Sequence, residues 1–334
     1  MSVRLDIVDF QHELKTPLVT SGRTIASREG FELRVWDGET LLARGECAPL
    51  PGFSFEELED CREEALLWQQ DEGDIRDLEL WLARATTVPH LPALRCAAET
   101  LVIELARLSE RTLPYWPARE RHRVRANALA NTVEEAQQRV EAGFQVLKIK
   151  VGNLSLREDV QRVKAIRAAV GDTITLRLDA NRAWSDLDAR NAVDVFATQR
   201  IELLEEPLKN GGPRELAELR AYSTIPIGAD EQARDQAAVL ELIDEAAMDY
   251  LILKPMLVGG PLQCMRLAKL AHERGTHVIV TTTIDGPVAT AMTIEVAARL
   301  PNDFAHGLAT SVLFADASGF PQMRRGAYKA GERV

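Results

Sequence analysis

Two features of this 334-residue sequence predict an α/β protein, with a parallel barrel as its larger part and a smaller α+β domain at its N-terminus. Beyond about residue 119, short apolar runs alternate with stretches of helical period, the pattern of strand–helix units around a parallel sheet. Five of the runs also end on a charged residue. Lys150 closes 145–150 (QVLKIK), Asp179 closes 174–179 (ITLRLD), Glu205 closes 201–205 (IELLE), Asp230 closes 225–230 (IPIGAD) and Lys254 closes 250–254 (YLILK). The gaps are 29, 26, 25 and 24 residues, enough in each case for one strand, one helix and two short loops. A closed barrel of such units brings every strand's C-terminal end to one face, where its active site lies.

The elements follow in order. Residues 1–47 read as strands, with 31–36 and 41–46 flanking the turn signal Asp37-Gly38-Glu39. The polar stretch 16–28 has no steady period and reads as a mobile loop. Pro49, Pro51 and Gly52 punctuate the chain before Ser54, which is placed to N-cap a helix running through Trp68. A second helical pattern covers 93–108, and 113–119 holds two prolines and reads as a linker.

In the second part, Leu156, Val160, Val163, Ile166 and Val170 recur at helical spacing, and Gly171 suits the stop. Ser185 with Asp188 forms the next N-terminal cap. Pro213 and Pro261 each follow a Gly-Gly pair at a first-turn position. A strand over 277–283, a helix through about Ala298 and a strand over 304–310 complete eight units, which imply closure. The open doubly wound alternative is weakened because no GxGxxG turn follows any strand.

Composition narrows the function. A net charge of −11 argues against nucleic acid, which needs a clustered basic surface. Apolar residues at 46% and charged residues at 27% suit a soluble enzyme. No stretch reads as a signal peptide or reaches membrane-spanning length. Cys47, Cys61, Cys96 and Cys264 form no CxxC pair and read as reduced core thiols. The expectation is a cytoplasmic protein, monomeric or homo-oligomeric, that acts on a small carboxylate and uses neither nucleic acid nor a membrane.

Side chains alternate along a strand. Lys148 therefore shares a face with Lys150, Arg177 with Asp179, Leu203 with Glu205 and Ile252 with Lys254. If these faces point inward, Asp179, Glu205 and Asp230 converge, and hard oxygen donors favour Mg²⁺ over Zn²⁺. Taken singly, Lys148 and Lys150 are more often solvated strand-end residues, Asp179–Asn181 reads equally as a turn, Glu205-Glu206-Pro207 as the start of a loop and Lys254-Pro255 as the end of a strand. Their joint placement in five consecutive units carries the inference. A divalent ion stabilises the charge that develops when a carbon beside a carboxylate loses its proton. The base must then be neutral, and Lys148 beside Lys150, with an ion nearby, supplies the electrostatic pressure for that. The reaction class is proton abstraction α to a carboxylate.

The pieces Lys148-Ile149-Lys150, Asp179-Ala180-Asn181, Glu205-Glu206-Pro207, Ala229-Asp230-Glu231 and Leu253-Lys254-Pro255 resemble the enolase superfamily in its muconate-lactonising subgroup. That resemblance implies a modified TIM barrel, (β/α)7β, over 116–310, an α+β capping domain over 1–115, and a tail over 311–334 packing on the capping domain. It also implies Mg²⁺, with Mn²⁺ as a substitute, on Asp179, Glu205 and Asp230. Lys150 and Lys254 would be the acid/base lysines, and Asn181 would support the metal site.

Within the subgroup, residues 45–54 (GECAPLPGFS), 177–184 (RLDANRAW) and 306–314 (HGLATSVLF) are similar to segments of o-succinylbenzoate synthases. This implies dehydration of 2-succinyl-6-hydroxy-2,4-cyclohexadiene-1-carboxylate to o-succinylbenzoate in menaquinone biosynthesis. Lys148, Arg177, Thr281, Thr283, Gly52 and Ser54 would then support or touch substrate. Threonines at 281–283 stand where serines often end the seventh strand. Asp316 is single, where dipeptide epimerases often carry an acidic pair. The alternatives are an N-acylamino acid racemase, a dipeptide epimerase, or a barrel kept only as a scaffold. A scaffold would be expected to have lost a ligand or a lysine, and none is missing.

Overall fold

The computed structural model describes residues 3–20, 23–71 and 73–331. Its N-terminal part is an antiparallel sheet of β1 (Val3–Thr20), β2 (Arg23–Asp37) and β3 (Thr40–Cys47), in that spatial order. Phe31, Leu33 and Val35 alternate along β2 and are wholly buried, as a strand with one face on a core requires. Gly38 closes the β2–β3 turn at φ 58°. The stretch 16–28 is not a loop. Leu18 pairs with Ile25, Val19 with Thr24 and Thr20 with Arg23, after a register shift between Glu13 and Leu18. Such an irregularity breaks the two-residue period, which hides the hairpin from a reading by alternation. Residues 21 and 22 lie outside the described residues.

Three helices follow: α1 (Leu58–Gln70), α2 (Leu78–Thr87) and α3 (Pro92–Leu108). Ser54 does not cap α1. Its hydroxyl accepts the Leu50 N–H at 2.9 Å, while Glu57 and Asp60 form the capping box. The backbone of α3 lies directly on β3, and Gly45 permits it, since a Cβ there would collide with the carbonyl of Ala97.

The second part begins with β4 (Arg123–Arg125), β5 (Ala128–Leu129), α4 (Val133–Glu141), β6 (Val146–Lys150), α5 (Leu156–Val170) and β7 (Thr175–Asp179). It continues with α6 (Asp186–Phe196), β8 (Ile201–Glu205), α7 (Pro213–Tyr222), β9 (Ile227–Ala229), α8 (Gln236–Asp244) and β10 (Tyr250–Leu253). Then come α9 (Pro255–Val258), α10 (Pro261–Glu273), β11 (His277–Val280), α11 (Pro287–Ala297) and β12 (Ala327–Lys329). The Ser185 cap and the Gly171 stop act as expected: Ser185 accepts the Asp188 N–H, and Gly171 ends α5 at φ 78°. Ser155, not foreseen, accepts the Glu158 N–H at the start of α5.

Strands β5 to β11 form one parallel sheet in chain order. The sheet curls until Ala126 bridges to His306 and Thr281 to Gly307, joining its two edges. The expected strand over 304–310 is reduced to this bridge. Leu308 N–H turns back to the His306 carbonyl at 3.0 Å and Ala309–Leu313 winds into a 3₁₀ turn, so the ladder ends. Strand β12 pairs with β4, while Phe314 and Ala315 reach Leu14 and Glu13 of β1.

Leu147 and Ile149 belong to the apolar layer under the helices, so Lys148 and Lys150 point into the barrel. Leu203, Tyr250, Ile252 and Ile279 form a separate cluster inside it, on the faces that carry Glu205 and Lys254. Two buried glutamates join the parts. Glu46 accepts the N–H groups of Gly286, Val288 and Ala289 at 2.6, 3.1 and 3.0 Å. Glu99 accepts those of Leu262 and Gln263 at 2.8 and 3.0 Å. Each meets the unpaired N–H groups that begin a barrel helix. The four cysteines are buried and unbridged. No helix among the described residues is long and apolar enough to cross a membrane.

Candidate active site

Strand register assembles the charged set. Lys150 stands opposite Asp179, Asp179 opposite Glu205, and Glu205 opposite Gly228, two residues before Asp230. Asp179, Glu205 and Asp230 are all buried. Lys148 Nζ lies 2.6 Å from Asp179 and 2.7 Å from Glu205, Lys150 Nζ lies 2.7 Å from Asp179, and Lys254 pairs with Asp230. Lys150 Nζ also donates to the Asn181 side chain. The chain turns sharply after the strand ends, with Asn181, Arg182 and Glu206 at φ 43°, 61° and 45°.

The electrostatics follow from this crowding of charge. Burial pulls the Lys148 ammonium down, but Asp179, Glu205 and Asp230 outweigh burial and hold it above the ordinary lysine range. Lys148 is thus a counter-ion inside the carboxylate set, and its charge is balanced where it stands. Lys254 behaves alike, with Asp230 and Glu231 overcoming burial. Asp179 is held below its usual value: burial raises it, and Lys148 and Lys150 overrule burial. Glu205 is pushed up to about 8 by burial and by Asp179, against the pull of Lys148. Among the described residues no three His, Cys, Asp or Glu side chains stand together as a metal cage; the carboxylates are paired with ammonium groups.

A cavity of about 1120 Å³ opens above this set. Lys148, Lys150, Asn181 and Glu231 form its polar floor, and Gly52, Phe53, Ser54 and Phe55 reach over it from the N-terminal part. Gly52 turns at φ 79°, a left-handed conformation that suits glycine. The Lys254 ammonium sits 5.3 Å from the centre of the Phe53 ring. Thr281 lines the cavity, with its hydroxyl bonded to the Gly307 carbonyl at 2.8 Å.

Two expected residues stand elsewhere. Thr283 is buried and donates to Asp285, closing a local turn instead of facing the cavity. Arg177 lies inside the barrel, with Glu202 at 2.5 Å and the Ala305 carbonyl at 2.7 Å. Asp316 accepts the Ser318 N–H at 2.9 Å in an exposed turn and is not among the cavity residues.

Sequence reading missed Asn131, whose side chain accepts the Lys150 N–H at 3.0 Å, and the hydrophobic wall of Leu18, Ile284, Val312 and Leu313. It also missed Glu231, which accepts from Asn181 at 2.6 Å and whose other oxygen is buried without a partner. Glu231 directly follows Asp230, and its place beside a strand end was the available signal.

Comparison with known proteins agrees with this geometry. The family described as Enolase C-terminal domain-like matches residues 131–333, and the MenC N-terminal domain family matches residues 3–95. An o-succinylbenzoate synthase of Citrobacter koseri is 30% identical over 308 residues, covering 90% of this chain and 88% of that protein. A hydrophobic dipeptide epimerase of Enterococcus faecalis is 37% identical over 147 residues, 44% of this chain and 41% of that protein. The crystal structure of a dipeptide epimerase from E. faecalis, complexed with Mg and the dipeptide L-Leu-L-Tyr, superimposes with a TM-score of 0.86. That match is 24% identical and covers 99% of this chain and 98% of that one. A family match over more than half of the residues, on a barrel of this topology with charged strand ends in this register, makes this chain a member of the enolase superfamily.

Proposed function

We propose that the chain is an o-succinylbenzoate synthase. The observation that carries this reading is the extent of the resemblance. Several relatives of that name align over some 90% of the chain, N-terminal part included, whereas the sequence similarity to the hydrophobic dipeptide epimerase covers 44%. Asp316 is not among the residues that line the cavity, so it is not placed to hold a substrate ammonium.

Asp179, Glu205 and Asp230 would hold a Mg²⁺ ion. In favour of that reading, each is a buried hard oxygen donor at the end of one of three adjacent strands, and the ammonium groups of Lys148, Lys150 and Lys254 balance their charge as a hard cation would. When bound, the ion supplies positive charge to the substrate's carboxylate. The other steps belong to the side chains. Lys150, as the free amine and aligned by Asp179 and Asn181, removes the proton α to the carboxylate. The electron pair of the C–H bond moves toward the carboxylate. It then returns to form the ring double bond as hydroxide leaves the neighbouring carbon and takes the proton back from Lys150 as water. Lys254 remains an ammonium under Phe53 and stabilises the developing negative charge. The cover of residues 52–55 keeps bulk water away.

The second reading is epimerisation or racemisation of an N-acylamino acid or dipeptide, favoured by the presence of lysines on both sides of the carboxylate set. The two readings separate when the purified protein with Mg²⁺ is assayed on the cyclohexadiene substrate beside a panel of dipeptides and N-succinylamino acids. The synthase reading expects turnover of the first to dominate and to vanish in excess chelator. Glu205→Gln should lower metal affinity and turnover together. Efficient racemisation with little dehydration transfers the assignment to the second reading.

A further inference from the structure

Arg28 of β2 is 1% exposed and has no part in the chemistry above. Its guanidinium donates to three backbone carbonyls: Ala48 at 2.6 Å, Pro49 at 3.1 Å and Ile284 at 3.0 Å. The first two belong to the segment that leads into the cavity cover. The third lies 256 positions away, in the loop between β11 and α11. Burying a guanidinium is costly, and an apolar side chain would often serve packing as well. Here the charge joins two loops that lie far apart in sequence.

The loop it holds is under strain. Ile284 has φ 60°, a left-handed conformation that is a true outlier for a β-branched residue. Such backbone persists only where surrounding contacts over-determine it. The contacts are on both sides. Arg28 takes the Ile284 carbonyl, Asp285 accepts the Thr283 N–H at 3.1 Å, and Glu46 takes the Gly286 N–H at 2.6 Å. A Cβ on Gly286 would stand 2.7 Å from the Glu46 carboxylate, so the grip is close. The outcome is that the Ile284 side chain lines the cavity and, like Phe53, packs against the apolar cluster that includes Leu50.

We propose that Arg28 is a positioning residue that latches the segment 47–54 to the loop 281–286 and so holds Ile284 as the wall of the substrate cavity. The proposal rests on the reading of that cavity as the active site. Arg28 contacts neither Lys150 nor Lys254, so its removal acts on substrate binding more than on the chemical step.

The test uses the full chain with Mg²⁺. In Arg28→Met, hydrogen–deuterium exchange of 47–54 and 281–286 should rise together by about tenfold, with the barrel strands unchanged. KM should rise by about tenfold and kcat should change by less than about twofold, the pattern of lost binding. Arg28→Lys should fall between the two, because an ammonium reaches fewer of the three carbonyls. Ile284→Gly guards against a failure of Arg28→Met to fold: glycine takes positive φ freely, so stability should hold or rise while KM increases. Wild-type exchange in either segment of Arg28→Met, a change confined to kcat, or an unchanged KM in Ile284→Gly would overturn the latch. The exchange readout needs no turnover. If the wild type dehydrates no cyclohexadiene substrate, the function reading fails separately, and KM is read on the N-succinylamino acid that it does racemise.

Discussion

Lys150 and Lys254 have unlike surroundings, and at the scale of single residues that difference is testable. Lys150 lines the cavity between Asp179 and Asn181, while Lys254 is paired with Asp230 beneath the Phe53 ring. A one-base dehydration needs proton transfer only from Lys150. Lys150→Arg cannot give up its charge and should lower kcat by about 10²–10⁴-fold. Lys254→Arg keeps the fixed cation and should retain measurable dehydration, whereas in a racemase either change stops exchange of the α-proton. Steady-state rates of the two variants, with solvent deuterium incorporation into an N-succinylamino acid, decide between these outcomes. Undiminished dehydration by Lys150→Arg would remove it from the role of base. Lys150 was legible in the sequence because it ends a strand. The role of Lys148 was not, because the carboxylates that balance it lie on strands 31 and 57 residues further along.

At the scale of elements, the approach of α3 to β3 depends on Gly45. No side chain fits between that glycine and the Ala97 carbonyl, and backbone cannot swing aside as a flexible side chain can. Gly45→Ala should therefore push α3 off the sheet and cost about 1–3 kcal/mol, measured as a lower midpoint in urea at unchanged slope. An unchanged midpoint would mean that the helix has room to shift. Local signals predicted most elements correctly: the cap at Ser185, the stop at Gly171 and the prolines that open α7 and α10. They failed at Ser54, where the hydroxyl is taken by Leu50, and in the 16–28 hairpin, where a register shift spoils the alternation.

At the scale of the molecule, two buried glutamates join the N-terminal part to the barrel, and both titrate high. Burial raises Glu46 to about 8, helped by Asp285 and Glu32 and opposed by its N–H partners. Burial raises Glu99 to about 7 against Arg95 and its own N–H partners. An acid whose folded value lies above its unfolded value of 4.5 binds more protons when folded. Its contribution to stability is full below that unfolded value and is lost as pH rises through the folded one. Thermal stability should accordingly decline between about pH 5 and pH 9 on account of these groups. Glu46→Gln, which cannot ionise, should flatten the upper part of that decline. A wild-type slope in Glu46→Gln would show that the carboxyl titrates normally.

The sequence by itself determined the strand–helix unit, its repeat length and the five charged strand ends, because period and caps depend on residues close along the chain. The parallel register then brings the ends together with no further information. Tertiary structure alone decided which charges neutralise one another, which aromatic ring covers Lys254, which threonine faces the cavity, and how the eighth strand shrinks to a two-residue bridge. Those outcomes depend on pairings between distant segments, such as Arg28 with Ile284 or Glu46 with Gly286. A reading by local period cannot see them, since nothing in the neighbourhood of either partner announces the other.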